Sequence, residues 1–149
     1  MTNGEQSDSG ASIRHPSSVI EVSAGLIFRH RQILITQRHA AAHLGGLWEF
    51  PGGKREAGET FEQCLARELR EELGVEVSVG ELFETVTHAY PEKTVHLQFH
   101  LGRIQCGEPQ PLGCAALRWV NQSELADYAF PAADAQLLEK LRIAQELWL

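Results

Sequence analysis

Residues 52–77 read GGKREAGETFEQCLARELREELGVEV, a run dense in glutamate, arginine and glycine around a few leucines. Thr60 sits three residues before Gln63, the spacing of a capping box in which each side chain satisfies the other's backbone N–H at a helix start. The apolar spacing that follows is helical until Gly74, which accepts the left-handed backbone of a helix end. On the predicted helix Glu68, Glu71 and Glu72 stand at i, i+3 and i+4 and share one narrow face. Leu65, Leu69 and Leu73 form the neighbouring stripe. Burying that stripe sets the acid face at the edge of the core, where like charges repel unless something positive sits among them. A hard divalent ion with oxygen ligands, magnesium or manganese, suits such a face. Taken alone, RELREEL also reads as a solvated surface laced with i, i+4 ion pairs. The flanks favour the ion. Gly52-Gly53 lets backbone approach an ion or phosphate closely, and Glu59 lies just outside the first turn, opposite Arg67.

Outward from this helix the pattern is β-like. VIEVSAGLIFR and ILITQR, rich in Val, Ile and Leu and separated by polar residues, predict a hairpin from Val19. A loop is expected from His39 to about Gly58, punctuated by Gly45-Gly46, Pro51 and Gly52-Gly53. After the helix, VEVSV alternates, LFETVTHAY is strand-like, and Val95, Leu97, Phe99 and Leu101 share one face of a further strand. ALRWV is another short strand, and Ser123 is a candidate helix cap. Leu137, Leu138, Leu141, Ala144 and Trp148 are spaced for a C-terminal amphipathic helix beginning near Pro131. Strands predominate with helices placed to cover them, so the class is mixed α/β.

The chain has 149 residues, 43% of them hydrophobic, which suits one domain over residues 19–149. Residues 1–18, rich in Ser, Gly and polar groups, read as a loose tail. A formal net charge of −7 argues against passive attraction to a nucleic acid polymer or an anionic membrane, so a phosphate substrate would need a cation. Cys64, Cys106 and Cys114 form no CxxC pair and no even disulfide framework, which fits a reducing cytoplasm. No leader pattern and no apolar stretch near the roughly 20 residues of a membrane span is visible, and nothing points to an obligate protein partner.

Gly53, Glu59, Arg67-Glu68, Leu69, Glu71-Glu72, Gly74 and Val75, at these spacings, resemble the complete signature box of the Nudix hydrolases. That resemblance implies the Nudix fold, a mixed β-sheet sandwiched between α-helices, and metal-assisted attack of water on a diphosphate. It implies Glu68, Glu71 and Glu72 as metal ligands aided by the backbone of Gly53, Glu68 as the base that takes the proton of water, and a Glu59–Arg67 ion pair shaping the loop. The chemistry agrees: a metal neutralises phosphate charge, activates water and fixes the line of attack, so carboxylates are needed rather than a covalent nucleophile. Cys64, on the apolar side of the helix, reads as packing.

VSAGLIF, ILITQR, GGLWEFPGGK, GEP at 107–109, LRWV and FPAADAQLL follow the order of MutT-type members of that family, over roughly residues 20–142. The resemblance implies a nucleoside triphosphate substrate, cleaved to monophosphate and pyrophosphate: an oxidised nucleotide such as 8-oxo-dGTP, or a pyrimidine nucleotide such as CTP or dCTP. Another nucleoside diphosphate derivative and a non-catalytic base-binding module are the remaining alternatives. Arg38 and His43 resemble residues that approach the phosphates, Glu49 lies just before the loop entering the metal site, and Trp48, Phe50 and Tyr90 are candidates for stacking on a base. Asp134 occupies a position where 8-oxoguanine-specific relatives carry asparagine; an ionised aspartate only accepts hydrogen bonds. One departure stands out. Related enzymes commonly carry a further glutamate before the last strand, where this chain has Gly113, Cys114 and Ala115, and Glu108 could replace it only if its loop folds back.

Overall fold

The computed structural model describes residues 19–149, so the expected tail, residues 1–18, lies outside the described residues. Strand β1 (Val19–Arg29) leads into β2 (Gln32–Gln37) through His30 and Arg31. Both turn residues have positive φ, 52° and 64°, the backbone that matches the twist of a two-residue hairpin. The expected loop from His39 contains two short strands, β3 (Trp48–Glu49) and β4 (Gly52–Lys54). Helix α1 (Phe61–Leu73) follows, then β5 (Glu76–Ala89), β6 (Thr94–Cys106) and β7 (Ala116–Asn121), and finally helix α2 (Ala135–Ile143) between 3₁₀ turns at Ala132–Asp134 and Gln145–Trp148.

The sheet order is β3-β2-β1-β6-β5, with β4 also on β1 and β7 also on β2. Among the described residues only β1 and β6 run parallel and the other pairs are antiparallel, so the sheet is mixed. Strand β1 changes partner along one edge. Val22 to Ala24 pair with β4, whereas Phe28 and Arg29 pair with β2. The sheet splays between these contacts, and the cleft that results is where the site lies.

Alternation along β1 and β2 feeds two cores. Leu26, Ile33 and Ile35 face Leu137, Leu141 and Trp148, while Ile27 and Leu34 face Leu65, Leu69 and Leu73 of α1. The helices thus cover opposite faces of one sheet. Each fully buried leucine of α1 contributes about 2 kcal/mol by removal from water, so the leucine stripe fixes the rotation of α1 and aims its acid face. The capping box forms as expected: Thr60 Oγ1 accepts from Gln63 N at 3.0 Å, and Gln63 Oε1 from Thr60 N at 2.9 Å. Gly74 closes the helix at φ 73° and donates its N–H to Arg70 O.

Three further details differ from the sequence reading. VEVSV and LFETVTHAY form one long strand whose register shifts absorb the irregular stretch around Leu82. Asn121, not Ser123, satisfies the turn Leu125–Asp127, its Oδ1 accepting from Glu124 N at 2.9 Å. The C-terminal helix is shorter than its apolar spacing and finishes as a 3₁₀ turn that tucks Trp148 into the core. No helix among the described residues is long and apolar enough to cross a membrane.

Candidate active site

Pairing with β1 sets Gly52 opposite Ala24 and Gly53 opposite Ser23. A Cβ on Gly52 would fall 1.9 Å from Ser23 O, and one on Gly53 would fall 2.2 Å from Cδ of Glu68. At Gly52 the backbone leaves no room for a side chain, and at Gly53 a side chain would displace the Glu68 carboxyl. The Glu68 carboxyl therefore lies directly against the Gly53 backbone, bringing the loop and the acid face of α1 together.

Arg67 organises one side of this junction. Its guanidinium donates to Glu59 Oε1 at 3.0 Å, Lys54 O at 3.0 Å, Glu68 Oε2 at 2.9 Å and Glu71 Oε1 at 3.2 Å. Glu59 also accepts from Glu56 N, and the Arg67 bond, followed by that backbone bond, lowers its pKa to about 2. The other side is electrostatically opposite. Burial first, then repulsion from Glu68 and Glu49, pushes Glu72 up to about 8. Burial also raises Glu68, against the pull of Arg67. Glu49 is raised by burial in spite of its 3.0 Å pair with Arg38, whose Nε donates to His43 O at 2.6 Å.

A cavity of about 410 Å³ opens beside these carboxylates. Gly53, Glu68, Glu72, Arg38, His43, Phe50, Tyr90 and Asp134 all line it, as does Glu49. Glu59, Arg67 and Glu71 do not; they stand behind the wall, and Glu71 is the most exposed of the three helix glutamates. The cavity has an apolar floor that includes Val22, Ala24, Val95 and Leu97 from β1 and β6. Phe50 is held between Phe99 and Phe130, with ring centroids 6.2 Å and 5.1 Å away. Tyr90 meets His43 edge-on at 5.7 Å. Trp48 instead packs on Tyr128 and is absent from the lining. Asp134 is 6% exposed, and burial, then repulsion from Glu49, raises its carboxyl to about 6. It begins α2 without a side-chain capping bond.

A family model of the NUDIX domain matches residues 23–140. The chain belongs to that family. It is 42% identical over 127 residues to the CTP pyrophosphohydrolase of Escherichia coli, covering 81% of this chain and 90% of that one. With the 8-oxo-dGTP diphosphatase of Haemophilus influenzae it shares 40% over 124 residues, 83% and 91% of the two chains. Among solved structures, that of the Escherichia coli ORF135 protein superposes with a TM-score of 0.71 at 40% identity, covering 86% of this chain and 94% of that chain. MutT of Methanosarcina mazei shares the fold at a TM-score of 0.76 and 22% identity, over 86% and 96%.

Nudix hydrolases generally act with divalent metal ions. Among the described residues no three Asp, Glu, His or Cys side chains converge tightly enough to cage an ion; Arg67 draws Glu68 and Glu71 toward itself. The donors still suit a hard cation. Burial raises the carboxyls of both Glu68 and Glu72, and the charges of Glu68 and Glu49 raise Glu72 further, beside the backbone of Gly53; a cation there would relieve that repulsion. The segment from Gln110 to Gly113 lies along the end of α1: Leu112 N and Gly113 N donate to Glu72 O at 3.0 Å and 3.1 Å, and Gln110 N to Leu73 O at 2.9 Å. In this Nudix domain the stretch without a glutamate thus caps the helix that carries Glu72. Glu108 is turned away, forked on Arg29 at 3.0 Å. The extra carboxylate beside Glu72 is Glu49, to which the sequence reading gave no role; its alternation with buried Phe50 was the available signal. Lys54 and Lys93, also unforeseen, join Arg38 as cations on the cavity lining.

Proposed function

We propose that this Nudix domain is a magnesium-dependent nucleoside triphosphate pyrophosphohydrolase, with manganese able to substitute, acting on oxidised nucleotides such as 8-oxo-dGTP. The observation that carries the reading is one cavity that joins Glu68, Glu72 and Gly53 to an apolar floor with Asp134 on its wall. The names of the relatives, 8-oxo-dGTP diphosphatase and CTP pyrophosphohydrolase, support the substrate class. Such an enzyme works on free cytoplasmic nucleotides, with no need of a nucleic acid polymer, a membrane or an obligate partner.

Glu68, Glu72 and the backbone of Gly53 would hold the metal, which supplies charge neutralisation at the phosphates, and Glu71, paired with Arg67 outside the cavity, would join them by turning its side chain inward. The chain's own residues do the rest. Arg67, fixed by Glu59, orients the Glu68 carboxylate, and Glu68 takes the proton as water oxygen bonds to phosphorus and the P–O bond to pyrophosphate breaks. Arg38, His43 and Lys54 face the phosphates, while Phe50, Tyr90 and the floor of β1 and β6 exclude water around the base.

A second reading, CTP or dCTP, is favoured by Asp134. Ionised, it accepts from an exocyclic amino group; protonated, it can donate to a carbonyl as 8-oxoguanine requires. Burial pushes its carboxyl up to about 6, so at neutral pH a base that presents an amino group where guanine presents its ring carbonyl, as cytosine does, is favoured, and in mild acid the guanine type gains. Product analysis over a panel of 8-oxo-dGTP, dGTP, CTP, dCTP and ADP-ribose tests both readings: monophosphate plus pyrophosphate is expected, and two monophosphates from ADP-ribose as the preferred reaction would overturn the proposal.

A further inference from the structure

Arg55 lies two residues beyond Gly53, on the loop between β4 and α1, and it is the most connected residue of that loop outside the glutamate cluster. Its backbone N donates to Glu21 O at 2.9 Å, extending the β1–β4 pairing by one step. Its Nε donates to Glu21 Oε1 at 2.9 Å, and its Nη2 pairs with the same carboxylate. Nη1 donates to the backbone O of Glu59 at 2.6 Å, and the guanidinium lies 5.5 Å from the centre of the Phe61 ring. Glu21 is an early residue of β1, on the strand that pairs with Gly53. One guanidinium therefore ties three things together: the strand under Gly53, the backbone of Glu59 and the first residue of α1.

We propose that Arg55, anchored on Glu21, is a positioning residue that sets the Glu59–Arg67–Glu68 chain of contacts. Glu59 must present its carboxylate to Arg67, and Arg67 must reach Glu68 and the carbonyl of Lys54. Between Lys54 and the capped start of α1 the loop has few other restraints: Glu59 N on Glu56 O at 3.1 Å and Glu56 N on Glu59 Oε1 at 2.9 Å are local turn contacts that would move with it. Arg67 joins the Glu59 side chain to Lys54 O, and Ser23 Oγ donates to Phe61 O at 2.8 Å just after the turn; among the described residues it is Arg55 that ties the turn's backbone, at Glu59 O, to strand β1. Its charge also helps keep Glu59 ionised. Without it the turn shifts as a body, and Arg67 loses the acceptor that holds it in place behind Glu68.

This inference rests on the reading of Glu68 and Glu72 as a metal and phosphate site, so its test needs a readout that does not depend on substrate. Compare the parent, Arg55→Gln, Glu21→Gln and the double variant by manganese binding without nucleotide, by amide exchange of residues 56–60, and by kcat and KM. Expected for Arg55→Gln are manganese binding weaker by about fivefold, faster exchange in the turn, and kcat lower by about tenfold with KM within about twofold. The double variant should be little worse than Arg55→Gln alone, because both remove the same link. Unchanged manganese binding and kcat, with only a lower melting temperature, would overturn the inference and leave Arg55 a stabilising surface contact. A parent without metal-dependent turnover would instead count against the proposed function, and manganese binding and exchange would still decide the role of Arg55.

Discussion

Glu59 and Glu72 belong to the same acid-rich stretch and end in opposite electrostatic conditions. Glu59 accepts two bonds from Arg67 and one from a backbone N–H, and its carboxyl titrates at about 2. Glu72 is half-buried, with Glu68 and Glu49 repelling it, and its carboxyl is pushed up to about 8. The contrast separates scaffold from site. A partnered carboxylate stabilises the fold as it stands; one held among its own kind weakens the fold until a cation arrives, a cost that makes Glu72 a candidate for the proposed metal site.

The sharpest way to break this contrast is at Glu68, which touches both sides. Glu68→Gln should lower turnover by about a hundredfold or more, the usual scale for losing a general base or metal ligand, and near-parent rates would remove it from the mechanism. Second in size is Asp134→Asn. Comparing kcat/KM for 8-oxo-dGTP and dCTP in parent and variant, we expect the ratio to move toward the guanine nucleotide by about tenfold to a hundredfold, since a mismatched buried polar contact is discriminating. A ratio that stays put sinks the base contact.

Smaller effects concern stability in the absence of divalent ions. The folded pKa of Glu72 lies above its unfolded value, so the folded state binds the proton more tightly and stability falls as pH rises from about 4.5 to about 8. Glu72→Gln should flatten that decline and raise stability at pH 8 by on the order of 2 kcal/mol, read as a gain of several degrees in melting temperature. Glu59 carries the reverse sign. Its folded pKa is depressed, so its contribution is present above the unfolded value and lost as pH falls from about 4.5 toward 2. Glu59→Gln should lower the melting temperature at pH 7 by a few degrees and lose that penalty in acid. If both variants shift melting in the same direction at neutral pH, the division between scaffold and site is wrong.

Helix α1 was legible because its signals are local. Thr60 and Gln63 cap each other across three residues, Gly74 ends the helix by its own backbone freedom, and the leucine stripe fixes which side is buried. The resemblance to the Nudix box likewise implied the Glu59–Arg67 contact, and the two side chains do meet. Strands β3 and β4 were hidden because two or three residues in a Gly- and Pro-rich loop carry no period; their structure is set by partners in β2 and β1.

The sequence by itself determined the acid-faced helix, the glycines before it and the alternation that gives two cores, since each depends on residues a few positions apart or on a periodicity of the chain. It left open which glutamates face the cavity. Glu71 and Glu72 flank Glu68 and are about 100° apart around the helix axis, and only the packing of α1 on the sheet turns Glu72 into the cavity and Glu71 out toward solvent. Tertiary structure alone also brought Glu49 to Glu72, tied Arg55 to Glu21, and turned Glu108 away onto Arg29, because these contacts join segments whose separation along the chain carries no information about distance.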